Sequence, residues 1–260
     1  MNRPGVLRLS TAEFTALWHR MELGDQPLLL NVADHGATLD ERDRLDDQAW
    51  EQLRARGLVD ARRPRPEVED ALGALARPAV EADLRMITGP GQEVRVLACA
   101  SGMVGVVSVP TAHTVDLFPA HPQRLAEGLL AHVPDHPAAV GDAVVIPAGI
   151  AQGDGLRADT ELARLERAGL RTDEARQVRR LITGSVVRRL KIGAAARDRL
   201  GRRHRARDVV SVLDTEHGRI QIRRPGSHPA RLLLAPTDRQ RLTSDVAALI
   251  RSVAEGHELS

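Results

Sequence analysis

Two segments of this chain, 117 residues apart, carry one pattern, and that spacing restricts the available folds more than any other feature of the sequence. "LFPAHPQRLAEGLLAHV" at 117–133 and "LAPTDRQRLTSDVAALI" at 234–250 align without gaps. Pro119, Gln123, Arg124 and Leu125 match Pro236, Gln240, Arg241 and Leu242, while Leu117, Leu129 and Val133 face Leu234, Val246 and Ile250. Each segment follows a series of short β-rich runs. Before the first come "EVRVLACA", "MVGVVSV" and "TVDLF", separated by "SG" and "PTAH" as in an antiparallel meander. Before the second come "VVRRLKIGAAARD", "DVVSVLD", "GRIQIRR" and "ARLLLA". Strands closed by a helix, twice over, predict an α+β chain with a quasi-two-fold duplicated fold, a central antiparallel β-sheet flanked by helices and helical bundles. At 260 residues the chain can bury a sizeable core, so we read one domain over 1–260 with related halves at approximately 1–136 and 137–260.

The helices mark their own ends. Ser10 and Glu13 form a capping box at the first, with Leu9 and Phe14 as a hydrophobic staple and Phe14, Leu17, Trp18 and Met21 on one stripe. Thr38 and Glu41 open a second helix, in which Leu45, Ala49, Trp50 and Leu53 share a face and Gly57 terminates. "PEVEDALGALARPAVEADLRMI" reads as a third, interrupted at Pro78. A helix is expected from near Pro119, with Leu125, Leu129 and Val133 on one face, then a connector, "HVPDHPAAVGD". "DAVVIPA" reads as a strand, with helices at roughly 156–169 and 172–183 and another at the C-terminus.

Chemistry is sparse. The chain has no G-x-S-x-G elbow, P-loop, G-x-G-x-x-G or H-E-x-x-H. Cys99, alone in an apolar run, reads as packing, and a single cysteine excludes an intrachain disulfide and fits a reducing, cytoplasmic compartment. His132 and His136 near Asp135 lie in the proline-rich connector, where a rigid metal site is not expected. Asp40, Glu41, Asp43, Asp46 and Asp47 read as dipole complement and solvated face of the second helix. No catalytic residue, metal ligand or cofactor is expected, so the chain is read as a non-enzyme. "MNRPGVLRLSTAEF" lacks the apolar core of a secretory signal, and no 18-residue apolar span exists, so no membrane association is expected.

Charge is unevenly distributed. Residues 176–207 hold twelve basic side chains and one acid, Asp198, although the whole chain carries only +2. Six arginines fall in "RDRLGRRHRAR" at 197–207, which the flanking β-runs set at a hairpin turn with Gly201 at the bend. A nucleic-acid-binding regulator gripping phosphate with this hairpin is the alternative reading. Against it, the chain has no Tyr, and Phe14, Trp18, Trp50 and Phe118 lie far from the arginines in sequence, so no stacking platform accompanies them. A basic platform for an acidic protein partner fits better, and no nucleic-acid partner is expected.

Several segments in this order resemble a known family. "LSTAEFTALWHRMELGDQPLLLNVADHGATLDERDRLDDQAWEQLRARGLVD", "LARPAVEADLR" and "KIGAAARDRLGRRHRARDVVSVLDTEHGRIQIRR", with the D-T-x-x-G-R turn of Asp214, Thr215, Gly218 and Arg219, are similar to the EspG family of ESX (type VII) secretion-associated chaperones of actinobacteria. This chain departs from it with "LKIG" at 190–193, where members often carry G-Q-F-G, and with Ile220 where an aromatic often follows. The resemblance implies a quasi-two-fold fold and a cytosolic, non-enzymatic chaperone. Its partner would be a helical secretion substrate, PE/PPE-like or WXG100-like, whose exposed apolar tip it keeps soluble and export-competent. It further implies that the sheet and C-terminal bundle build the binding surface. Strand alternation over 219–223 puts Ile220 and Ile222 in the core. Arg219, Gln221 and Arg223, with Ser211 and Leu213 on the neighbouring strand, are then the expected partner-facing set.

Overall fold

The computed structural model describes residues 5–150, 162–182, 185–224 and 231–255. Along the chain run β1 (Leu7–Ser10), α1 (Thr11–Arg20), α2 (Leu39–Ala55), α3 (Pro66–Ala76), β2 (Val80–Gly89), β3 (Gln92–Ser101), β4 (Val104–Pro110), β5 (Thr114–Ala120) and α4 (Leu125–Leu130). The second series is β6 (Val144–Pro147), α5 (Leu162–Arg167), α6 (Thr172–Ile182), β7 (Val186–Arg197), β8 (Arg203–Arg205), β9 (Val210–Thr215), β10 (Gly218–Arg223), β11 (Arg231–Pro236) and α7 (Arg239–Glu255). One antiparallel sheet takes the order β1-β5-β4-β3-β2-β7-β9-β10-β11-β6, with the short β8 paired to β7. Read outward from the β2–β7 seam, each arm repeats the other. A long central strand is followed by a three-stranded meander and then by the arm's first strand at the edge.

Local chemistry accounts for the helix boundaries. Ser10 accepts from the Glu13 amide at 3.1 Å while Glu13 accepts from the Ser10 amide at 2.7 Å, the expected capping box. The same Glu13 carboxylate, buried, receives Arg56 at 2.6 Å from the far end of α2, so one acid ties two helix termini together. Thr38 caps α2 through the Glu41 amide at 3.2 Å, and Arg56 and Gly57 end it.

The expected third helix is corrected in its second half. Helix α3 stops at Ala76, and Val80–Gly89 is instead β2, the central strand. "VEADLRMI" fits both a helical and a two-residue period. Pairing decides, because β2 has continuous partners on both sides, β3 and β7. The helix expected from Pro119 also begins later, since β5 runs to Ala120 and a 3₁₀ turn over Pro122–Arg124 precedes α4. Of the helices expected at 156–169 and 172–183, residues 156–161 and 183 lie outside the described residues, and the rest appear as α5 and α6.

Three apolar clusters follow from strand alternation. On one face, Ala82, Leu84, Met86, Val96, Ala98, Leu190, Ile192, Ala194, Val210 and Val212 form a single layer under α4 and α7, one helix from each arm. On the other face the cover is split. Leu9, Leu97, Cys99, Val106 and Leu117 pack with Phe14, Trp18, Trp50, Leu53 and Leu72 of α1–α3. Ile146, Ile220, Leu232 and Leu234 pack with Leu165, Val178 and Leu181 of α5 and α6.

Candidate functional site

Between those two helical packs, among the described residues, lies a middle strip of the sheet that belongs to neither. Glu81, Asp83, Arg85 and Ile87 of β2 pair with Ala195, Gly193, Lys191 and Arg189 of β7. Lys191 and Arg189 in turn pair with Ser211 and Leu213 of β9. None of these residues joins the apolar cluster of either pack. Arg85 and Lys191 are exposed, and Ile87 is 48% exposed. A cleft runs along the β2 side of this face, lined by the Asp25–Leu29 loop, Leu75, Pro78, Asp83, Arg85 and Arg203. Leu28, on its rim, is 92% exposed.

The arginine-rich hairpin reaches into this cleft from its end. Strand β8 folds back on β7, with His204 opposite Ala196. Arg203 meets Glu81 at 2.7 Å through Nε, and Arg205 meets Asp83 at 2.8 Å through Nη2. Arg197 donates to the Gly201 carbonyl at 3.0 Å. In the turn, Asp198 accepts from the amides of Leu200 and Arg202, and His204 lies 2.9 Å from its carboxylate. The hydrogen bond with His204, ahead of the amide from Arg202, holds the Asp198 carboxyl below the usual range. The hairpin is therefore tied down by acids of the adjoining strand and of its own turn, which take up Arg203, Arg205 and His204.

The expected partner-facing set does not lie on one face. Register pairs Ser211 with Ile222 and Leu213 with Ile220, so these two belong to the face of that middle strip. Gln221 pairs with Val212 and Arg219 with Asp214, so Arg219, Gln221 and Arg223 belong to the α4/α7 side. Nor are they accessible as expected: Arg219 is fully buried, and Gln221 and Leu213 are buried too, while Ser211 and Arg223 are half-buried. The shared face is corrected by register: alternation within β10 holds, but the pairing with β9 sets Ser211 and Leu213 on the side opposite to Arg219 and Gln221. Arg223 pairs with Asp245 of α7. Ile220 is fully buried and Ile222 packs beside it, as expected.

Arg219 is the centre of a clamp. Its Nε meets Asp214 Oδ1 at 2.6 Å, and Nη2 meets Asp214 Oδ2 at 2.9 Å and the Pro134 carbonyl at 3.0 Å. Arg188 adds a contact to Asp214 Oδ2 at 2.8 Å. Burial alone would raise the Asp214 pKa. The hydrogen bonds from Arg219 and Arg188, with the Arg219 charge, outweigh it and hold the carboxyl below the ordinary range. The Arg219 amide donates to the Pro137 carbonyl at 2.6 Å, and its carbonyl accepts from Ala139 and Thr237 at 3.1 Å. Thr215 Oγ1 donates to the Gly218 carbonyl and accepts from the His217 amide, closing the turn. At Gly218, φ is +123° and an added Cβ would sit 2.5 Å from Ala139 backbone atoms. The D-T-x-x-G-R residues thus bind the connector between the arms to the β9–β10 turn, with only Glu216 and His217 of the turn exposed.

Other candidates resolve into packing, with one exception. Cys99 is fully buried and desolvation pushes its thiol pKa well up, so its environment is that of a core side chain. His136 contacts the Thr215 carbonyl at 2.7 Å and His132 stacks edge-on against Phe118. Asp46 departs from the solvated face expected of it: it is buried and joins His19 and His35 in a group able to hold a metal ion. Among the described residues, no helix is long and apolar enough to cross a membrane.

A sequence model of the EspG family matches residues 10–248. A solved structure of the Mycobacterium tuberculosis type VII secretion system chaperone EspG5, in complex with the PE25–PPE41 dimer, superposes with a TM-score of 0.70 at 14% identity. The superposition covers 95% of this chain and 96% of that one, so the two share a fold. No curated protein matches the chain.

Proposed function

The chain belongs to the EspG family, and from that membership we propose that it is a cytosolic chaperone of type VII (ESX) secretion. Its client would be a helical substrate of the PE/PPE kind, or a WXG100-like analogue, whose exposed apolar tip it covers. The observation that carries this is the family match over 10–248, joined to a shared fold with a chaperone solved in complex with a PE–PPE dimer. An apolar helical tip left in water promotes association, and seating it against another surface removes that hazard without any covalent step. The role is accordingly non-enzymatic.

The middle of the sheet, outside both helical packs among the described residues, is the surface that best suits such a tip. It is bounded by helices on both sides, its floor mixes Ile87 with Arg85, Lys191 and Ser211, and Leu28 stands exposed at its margin. Of the five residues expected to face a partner, Ser211 and Leu213 belong to this floor, Ser211 half-buried and Leu213 buried. Arg219, Gln221 and Arg223 would act indirectly, by fixing the strands and α7. The reading also takes the chain as one domain of two related halves, approximately 1–136 and 137–260, supported by the mirrored strand order about the β2–β7 seam.

Co-expression with helical-hairpin proteins encoded beside this gene tests the proposal. A stable equimolar complex is expected with one of them, and failure with every PE/PPE-like or WXG100-like neighbour would overturn it. No contact of Arg203 or Arg205 favours nucleic acid over Glu81 and Asp83. Binding to random duplex DNA should be negligible at physiological salt, whereas a phosphate grip would give a steep loss of affinity with added salt.

A further inference from the structure

The N-terminal helical pack holds a group of side chains that the chaperone role does not use. His19, on the last turn of α1, sets Nδ1 2.9 Å from Asp46 Oδ2 of α2. His35, in the loop between those helices, sets Nε2 2.7 Å from Asp46 Oδ1. The three donor atoms lie within 4.8 Å of one another, and the two imidazoles meet edge-to-face with centroids 5.9 Å apart. On its other side, His19 Nε2 lies 3.3 Å from Asp34 Oδ1.

The loop is shaped to bring His35 there. At Gly36, φ is +84° and an added Cβ would sit 2.6 Å from the Arg42 amide nitrogen, so the chain lies directly on the first turn of α2. Asp34 accepts from the His35 amide at 2.8 Å, and Glu41 accepts from the Ala37 amide at 3.0 Å. The Asp46 carboxylate is only 9% exposed and, among the described residues, receives no arginine, while neighbouring Arg20 is taken up by Asp47 and stacks on Trp50. Asp43 and Asp47 line the opening beside Asp46, opposed by Arg20 and Arg42.

Both ring nitrogens of His19 face carboxylate oxygens, Nδ1 that of Asp46 and Nε2 that of Asp34. A cation bound at Nδ1 would leave Nε2 facing Asp34, the usual pairing of a ligand histidine with an outer carboxylate.

We infer that His19, His35 and Asp46 form a binding site for a divalent transition-metal ion, with Asp34 orienting His19 from behind. Two imidazoles and a carboxylate suit Zn²⁺ best among common ions, with water completing the shell. Donors about 2.1 Å from an ion require the present contacts to open by roughly half an ångström. The ion would join α1, α2 and the loop between them.

The test adds Zn²⁺ to the metal-free full chain and reads stoichiometry by equilibrium dialysis with elemental analysis. Co²⁺ absorption in the visible range reports the ligand set. One ion per chain is expected, with a rise in melting temperature on adding Zn²⁺. Both should vanish in His35→Gln, whose side chain is partly exposed and whose fold can be checked by circular dichroism. Asp34→Asn should bind about 10-fold more weakly. No ion at micromolar free Zn²⁺, or equal binding by a folded His35→Gln, would overturn the site. Unchanged affinity in Asp34→Asn would overturn the role given to Asp34.

Discussion

At Asp214 two guanidinium groups converge on one buried carboxylate, and the consequence is measurable in both stability and acid response. Removing one partner of such a pair leaves the other uncompensated, at a cost of about 3–5 kcal/mol. Asp214→Asn should therefore lower the unfolding free energy at neutral pH by an amount of that order, read by urea denaturation. The folded pKa is depressed, so the carboxylate's contribution is present above the unfolded value of about 3.9 and is lost as pH falls through the folded one. The gap between wild type and Asp214→Asn should hence narrow in acid. Gly218→Val should be worse still, because it adds strain at positive φ to a collision with the Ala139 backbone. Little soluble protein is the expected readout. The sequence showed these residues as a family turn but gave no sign that Arg219 is interior. A charged residue next to alternating isoleucines looks solvent-facing until its acid, five residues earlier and across a hairpin, is known.

Among elements, the helices with chemical caps were the most legible. Ser10 and Glu13 could be read directly because a capping box is local, spanning four residues. Ser10→Ala should cost about 1 kcal/mol in thermal or urea unfolding. A larger loss would mean that the Glu13 amide, deprived of the Ser10 hydroxyl, finds no other acceptor. Strand β2 was misread because its identity is fixed by β3 and β7, not by its own residues. Its alternation of Glu81, Asp83 and Arg85 with Ala82, Leu84 and Met86 was the available signal, and the Pro78 break with preceding helix obscured it. That error hid Glu81 and Asp83 as the anchors of the arginine hairpin. In each pair the arginine is about half exposed but the acid is not, Glu81 and Asp83 showing 11% and 14% of their side chains. Arg203→Ala should therefore lower the melting temperature measurably, by leaving Glu81 without its charged partner, while changing the charge of the cleft.

For the whole molecule, the repeat at a spacing of 117 residues exposed the architecture, because Leu117 and Leu234 occupy matching strands β5 and β11. What it could not expose is which part of the sheet lies outside both helical packs, since that depends on where α1–α3 and α5–α6 end, not on any strand's composition. If that floor receives the client, Ser211→Trp and Lys191→Glu should abolish complex formation in pull-down or titration calorimetry. Lys191→Glu, at an exposed side chain, should leave folding unchanged, and circular dichroism checks the fold of Ser211→Trp.

The β2–β7 seam carries a consequence of its own. Antiparallel pairing runs unbroken there from Val80 with Ala196 to Ile87 with Arg189. A chain severed in the 132–142 connector would give two fragments, each ending in a naked, sticky margin the length of that junction. Separately they should precipitate. Mixed, they should reassemble as a split protein does, and the margin's geometry would equally let a fragment mate with its own twin.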